Sequence, residues 1–130
     1  MKVYTPQTAA ETIVRIEASK GDPWIAYRDF LEDWHYNSSD RTTLIATPPV
    51  AHTERGRRWL NLLGAAVEVL CRQAGMDAPA WAKDTSAAPK KPWCTYGKVS
   101  EQMTAWAQSV TPPEFLRHNI LASPSVVERV

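Results

Sequence analysis

Few side chains in this sequence have the type and spacing that chemistry requires. The three histidines, His35, His52 and His118, fall in three different segments, and none has a partner at the spacing of a zinc motif. They read as surface or helix-end residues, so no metal is expected. A metal-binding alternative would have to gather His35, Asp33 and a cysteine in space. Cys71 follows Val67 by one turn in an apolar helical run, the setting of an inert buried thiol. Cys94 stands beside Trp93 and near Lys90, Lys91 and Lys98, a basic setting that favours a reactive thiolate and makes Cys94 the nucleophile of any enzyme reading. There is no Ser, His and Asp set and no glycine-rich phosphate loop. The expectation is a non-enzymatic protein without cofactor, with both cysteines as free thiols.

Two charged groups and two tryptophans remain as candidates for binding a partner. Asp29, Glu32 and Asp33, with Asp22 nearby, fall on the face of a helix turned away from its tryptophans. That placement makes a solvated acidic face, suited to a basic partner. Arg55, Arg57 and Arg58 open the longest helix, where positive charge opposes the helix dipole. They call for an anionic partner or for the acidic face of the second helix as compensation. Trp81 and Trp93 bracket a polar loop, and either clamp it down or anchor a partner as aromatic side chains do.

The elements that must position these residues are helical. Thr5-Pro6 is one start signal, a cap followed by proline at the first helical position, and Thr8 with Glu11 is a competing capping box one turn later. Ala9, Ile13 and Ile16, with Ala10 and Val14 beside them, form the apolar stripe of this first helix, which ends near Gly21. Asp22-Pro23 repeats the start signal, and Trp24, Tyr27, Leu31 and Trp34, flanked by Phe30, give the second helix an aromatic face. Asn37-Ser38-Ser39 ends it and opens a short segment from Asp40 to Ala46.

From Thr53 to Ala74 the stripe Trp59, Leu62, Leu63, Ala66, Val67, Leu70, Ala74 predicts one long central helix, with Gly75 at its C-terminal cap. Leu60, Ala65 and Val69 widen the buried face, and Gly64 marks a close contact. Residues 83–98 read as an exposed loop. Val99 to Val110 resumes helical spacing through Met103, Trp106 and Val110, with Trp106 on a core face beside those of Trp24, Trp34 and Trp59. Thr111-Pro112-Pro113-Glu114 looks like a cap with proline at N1 and a capping-box glutamate. Asn119 is expected in the left-handed conformation, and Ser123-Pro124 opens a last turn with Val126, Val127 and Val130. No strand of convincing length appears; Asn119-Ile120-Leu121 is too short for a sheet. The fold class is therefore all-α, a compact bundle of six to seven helices around the 53–74 helix, with an N-terminal helical hairpin and short C-terminal helices.

At 130 residues the chain suits a single domain over 1–130. Its 44% hydrophobic and 22% charged content excludes a disordered chain. No apolar run approaches the roughly 20 residues of a membrane span, and the N-terminus lacks a secretory core, so a cytoplasmic protein without membrane contact is expected. Formal charge is +1, but residues 1–54 hold five basic and eight acidic side chains and residues 55–130 hold ten and six. A net charge near zero makes any nucleic-acid role local.

The order of motifs is WIAYRDFLEDWHY, then RTTLIATPP, then a long helix ending AGMDAPAWA at 74–82, then Pro92-Trp93 and PPEFLRHNIL at 112–121. It resembles a poorly characterised group of small all-helical bacterial proteins, common in actinobacteria, found alone or joined to helix-turn-helix domains and often beside nucleotidyltransferase-type toxins. The resemblance covers nearly the whole chain and brings no catalytic residues with it. It implies an antitoxin-like protein that binds and neutralises a toxin encoded by a neighbouring gene. The alternative is a nucleic-acid-associated regulator using Arg55, Arg57, Arg58, Lys90 and Lys91, although no helix-turn-helix domain stands ahead of the first helix.

Overall fold

The computed structural model describes residues 5–95, 97 and 100–128. Lys98, Val99 and Val130, to which the sequence assigned a place beside Cys94, a helix start and a last turn, lie outside the described residues. Seven α-helices are described: α1 (Ala9–Ala18), α2 (Pro23–Tyr36), α3 (Arg41–Ala46), α4 (Glu54–Ala74), α5 (Ala80–Lys83), α6 (Glu101–Val110) and α7 (Pro113–Arg117). Two 3-10 turns, Ser38–Asp40 and Pro124–Val127, and two-residue strands β1 (Trp93–Cys94) and β2 (Ile120–Leu121) complete the order. The chain is mostly helical, and α4 is its longest described helix, as its periodicity predicts. It forms two compact units, one reaching to Leu60 and one covering Asn61–Glu128.

In the first unit α1 starts at the later of the two candidate signals. Thr8 is its cap, accepting from the Glu11 amide at 3.1 Å. Pro6 lies ahead of the helix, because Gln7 is committed elsewhere: its amide donates to Asp33 Oδ2 at 2.6 Å, and its side chain donates to Thr12 Oγ1 and to the Ala26 carbonyl. Asp22 caps α2 through the Trp24 amide at 3.0 Å, with Pro23 at the first helical position. The aromatic face is buried at Tyr27, Phe30 and Trp34. Trp24, half-buried, meets Tyr27 and Trp59 edge-on at 5.4 and 4.8 Å between ring centroids, the geometry aromatic quadrupoles prefer. Val14 points outward instead of extending the α1 stripe.

In the second unit α4 is buried at every position from Asn61 to Cys71, so both of its apolar faces are covered. Ala74 at its end is exposed. Gly75 has φ 69°, and the Met76 amide reaches back to the Cys71 carbonyl at 2.8 Å, the bond of a Schellman cap. Gly64 is a close approach: a Cβ there would stand 2.9 Å from the Ala82 carbonyl oxygen of α5.

Three expectations fail in this unit. First, a small parallel sheet exists, pairing Trp93 with Ile120 and Cys94 with Leu121, with amides of Trp93 and Thr95 donating to the carbonyls of Asn119 and Leu121. Asn119, at φ 58°, turns the chain into β2, and its side-chain amide donates to the Pro89 carbonyl at 2.7 Å. Within the segment read as an exposed loop, the chain is tied at Pro89 and again at β1. Second, Thr111 does not open α7. It closes α6, and its hydroxyl accepts from the Ala122 amide, while Glu114 leaves the capping position to pair with Arg72 at 2.6 Å. Third, Trp106 and Met103 are not core residues; they are 51% and 45% exposed, and Ala107 is the buried residue of α6.

Candidate functional site

Helices α1 and α2 enclose an open cleft of about 390 Å³ lined by Thr5, Gln7, Glu11, Arg15, Asp29, Glu32 and Asp33. Four carboxylates face one guanidinium there. Arg15 Nη1 binds Asp29 Oδ2 at 2.8 Å and also donates to Gln7 Oε1. Both members of the ion pair are about half exposed, 46% and 52%, so the pair organises the cleft more than it stabilises the fold. Glu11 and Glu32 are exposed, and their carboxylates have no hydrogen-bond partner among the described residues. Asp29 and Glu32 are thus brought together as the sequence predicts. Asp33 corrects that reading. It is buried, 5% exposed, because its carboxylate receives the Gln7 amide at the floor of the cleft and fixes the approach of the chain to α1. Sequence reasoning missed Gln7, Glu11 and Arg15 as cleft residues; only helical spacing between Glu11 and Arg15 hinted at them.

The backbone at the start of α4 meets a carboxylate of its own chain. Glu17 accepts at 2.7 Å from the amides of His52 and Thr53 and from the Thr53 hydroxyl. Thr53 in turn caps α4 by accepting from the Gly56 amide. Burial raises the Glu17 carboxyl, but the Thr53 hydroxyl, the two amides and the His52 charge outweigh it and hold the group below the usual carboxylate range. A side chain at Gly56 would collide with this carboxylate. Arg55 Nη2 donates to the Gly21 carbonyl at 2.7 Å. Arg55, Arg57 and Arg58 are exposed, and the carboxylate that accepts the amides at this helix start is Glu17 of α1, which the sequence reading did not single out.

The second unit holds a polar cluster that the sequence does not announce. His118, expected at the surface, is 0% exposed. Its Nδ1 lies 2.8 Å from Asn61 Oδ1 and its Nε2 2.8 Å from Glu68 Oε2. Asn61 Nδ2 donates to the His118 carbonyl, which fixes the amide so that Oδ1 accepts from Nδ1–H. Arg117 closes the array at 2.6 Å from Glu68 Oε1. Asn61, Glu68 and His118 have no exposed edge for a substrate to approach, and their mutual satisfaction is what a buried polar cluster needs to be tolerated.

The remaining candidates are placed as follows. Trp81 and Trp93 are half-buried, at α5 and β1. Cys71 is buried and free, its thiol pushed up to about 11 by burial and by the charges of Asp77 and Glu68, which suppresses the thiolate. Cys94 is free and half-buried, and Lys90 and Lys91 are exposed. Among the described residues no group of three or more His, Cys, Asp or Glu side chains could hold a metal ion, and no helix is long and apolar enough to cross a membrane. Comparison with protein-family models, with curated proteins and with solved structures finds no match to this chain.

Proposed function

We propose that this chain is a protein-interaction module of antitoxin type, which neutralises a partner enzyme by seating a basic segment of it in the α1–α2 cleft. The observation that carries the reading is the composition of that cleft, four carboxylates with one guanidinium around an open volume, of which Glu11 and Glu32 keep their charge turned outward. An arginine or lysine side chain entering it gains charge-assisted hydrogen bonds without first breaking the Gln7–Asp33 floor. Charge of this kind steers encounter and sets partner choice. The motif resemblance supplies the class of partner, a nucleotidyltransferase-type toxin encoded by an adjacent gene.

The test is co-purification of the two gene products by size-exclusion chromatography, with the toxin's activity as a second readout. A stable complex that inhibits the toxin and is weakened by Asp29→Asn with Glu32→Gln supports the reading. Separate elution of the two proteins at low salt removes it. The nucleic-acid alternative has less support, because a phosphate at the start of α4 would compete with the Glu17 carboxylate for the His52 and Thr53 amides. It predicts binding to DNA or RNA that falls steeply with salt.

A further inference from the structure

The carboxylates of the α1–α2 cleft do not stand alone. Gln7, 8% exposed, lines the cleft with them, and each atom of its side-chain amide can be assigned. Nε2 donates at 2.9 Å to the Ala26 carbonyl, which can only accept. Its other proton goes to Thr12 Oγ1 at 2.7 Å, because the Thr12 hydroxyl gives its own proton to the Thr8 carbonyl. Oε1 is left facing the cleft as a buried acceptor in a fixed position. Arg15 fills it from the rim. A single nitrogen, Nη1, serves both Gln7 Oε1 and Asp29 Oδ2, while Nε and Nη2 have no partner among the described residues, so most of the guanidinium fork is unmatched. The second Asp29 oxygen, Glu11 and Glu32 are unmatched among the described residues as well.

We propose, on the basis of the cleft as the seat of a basic partner segment, that it receives one arginine side chain of that partner, and that Arg15 is a built-in competitor which the incoming guanidinium displaces. Two features select a guanidinium over other cations. Among the described residues no three acidic side chains converge closely enough to hold a metal ion, so the acceptors suit a cation that spreads its donors. The fixed Gln7 Oε1 and the two oxygens of Asp29 also match donors held in one plane. A guanidinium supplies these, whereas an ammonium is a compact point charge. Arg15 itself demonstrates that one guanidinium reaches both acceptors. Its ion pair with Asp29 is half exposed and therefore weak, so Arg15 can swing into water at little cost. Exchange of one guanidinium for another leaves the charge of the cleft unchanged. A cation of poorer fit must compete with Arg15 without recovering its hydrogen bonds, so the resident side chain sharpens the preference for arginine.

Nitrogen-15 NMR of the full chain, titrated with N-acetyl-arginine methylamide and separately with its lysine counterpart, tests this. The Arg15 side-chain signal is identified by its absence from Arg15→Ala. The expected result is saturable binding of the arginine probe, at least about fivefold tighter than the lysine probe. At saturation the Arg15 Nε signal should stand where a free arginine side chain resonates. Asp29→Asn should weaken arginine binding and Arg15→Ala should tighten it, each by about two- to fivefold, the range an exposed ion pair supports. Equal affinity for the two probes, no binding of the arginine probe, or an Arg15 signal that stays in place at saturation overturns the proposal. Wild-type protein alone gives these three readouts, so they decide even where a variant fails to fold. An arginine probe that fails while the two gene products still form a complex strikes the arginine receptor and leaves the antitoxin reading standing. Displacement of Arg15 by the probe, with no complex between the gene products, strikes the antitoxin reading and leaves the receptor.

Discussion

Helices α1 and α2 gather four carboxylates around an open cleft, whereas α4 and the cap residue after α7 bury Asn61, Glu68 and His118 together. Both regions use polar side chains from separate helices, but they leave them in opposite states. In the cleft, Glu11 and Glu32 are exposed and available to a partner. In the cluster, both ring nitrogens of His118, both carboxylate oxygens of Glu68 and both amide atoms of Asn61 are already matched. Polarity of the first kind serves binding and costs the fold little; polarity of the second kind specifies a packing and is expensive to disturb.

Substitutions in the two regions should therefore separate stability from binding. The largest effect is expected from Glu68→Ala, which leaves His118 and Arg117 without their carboxylate and should cost roughly 3–5 kcal/mol, read from urea unfolding midpoints. Gly64→Ala forces a Cβ against the Ala82 carbonyl at 2.9 Å, a backbone atom that does not swing aside, and should cost about 1–3 kcal/mol by the same measurement.

A smaller effect comes from pH. Burial raises the Glu114 carboxyl, but its bonds to Arg72 and the charges of Arg72 and Arg117 outweigh this and hold it below the ordinary glutamate range. Its folded pKa is thus lower than its unfolded one, so the contribution is present above the ordinary glutamate range and is lost as pH falls through the lowered value. Arg72 is more than half exposed, so solvent screening keeps the contribution under about 1 kcal/mol. Arg72→Ala should flatten this part of a stability–pH profile between neutral and strongly acidic pH. The smallest stability effect, within about 0.5 kcal/mol, is expected for Asp29→Asn with Glu32→Gln, at exposed positions of the cleft.

What could be read from the sequence follows the same division. Caps and stripes depend on residues a few positions apart, so Asp22-Pro23, Gly75, Asn119 and the apolar run of α4 were legible directly, and Asp29 with Glu32 could be seen as one face. His118 was not, because its partners stand 57 and 50 residues away, and nothing in its neighbourhood distinguishes a buried histidine from a surface one. Asp33 escaped for the same reason, its partner being the Gln7 amide 26 residues earlier. Glu114 had a plausible local role as a capping residue, and a partner 42 residues away in Arg72 overrode it. Trp106 shows the converse. Helical spacing establishes that a stripe exists, but whether another element covers it depends on packing that the spacing does not encode.

The claim that the cleft binds while the buried cluster holds the fold rests most directly on titrating the adjacent gene product into wild-type protein and into the Asp29→Asn, Glu32→Gln variant, with unfolding curves taken on both. Unchanged unfolding together with an affinity at least about tenfold weaker, a difference of 1.4 kcal/mol in binding, is the predicted result. Equal affinity for the two proteins would contradict it.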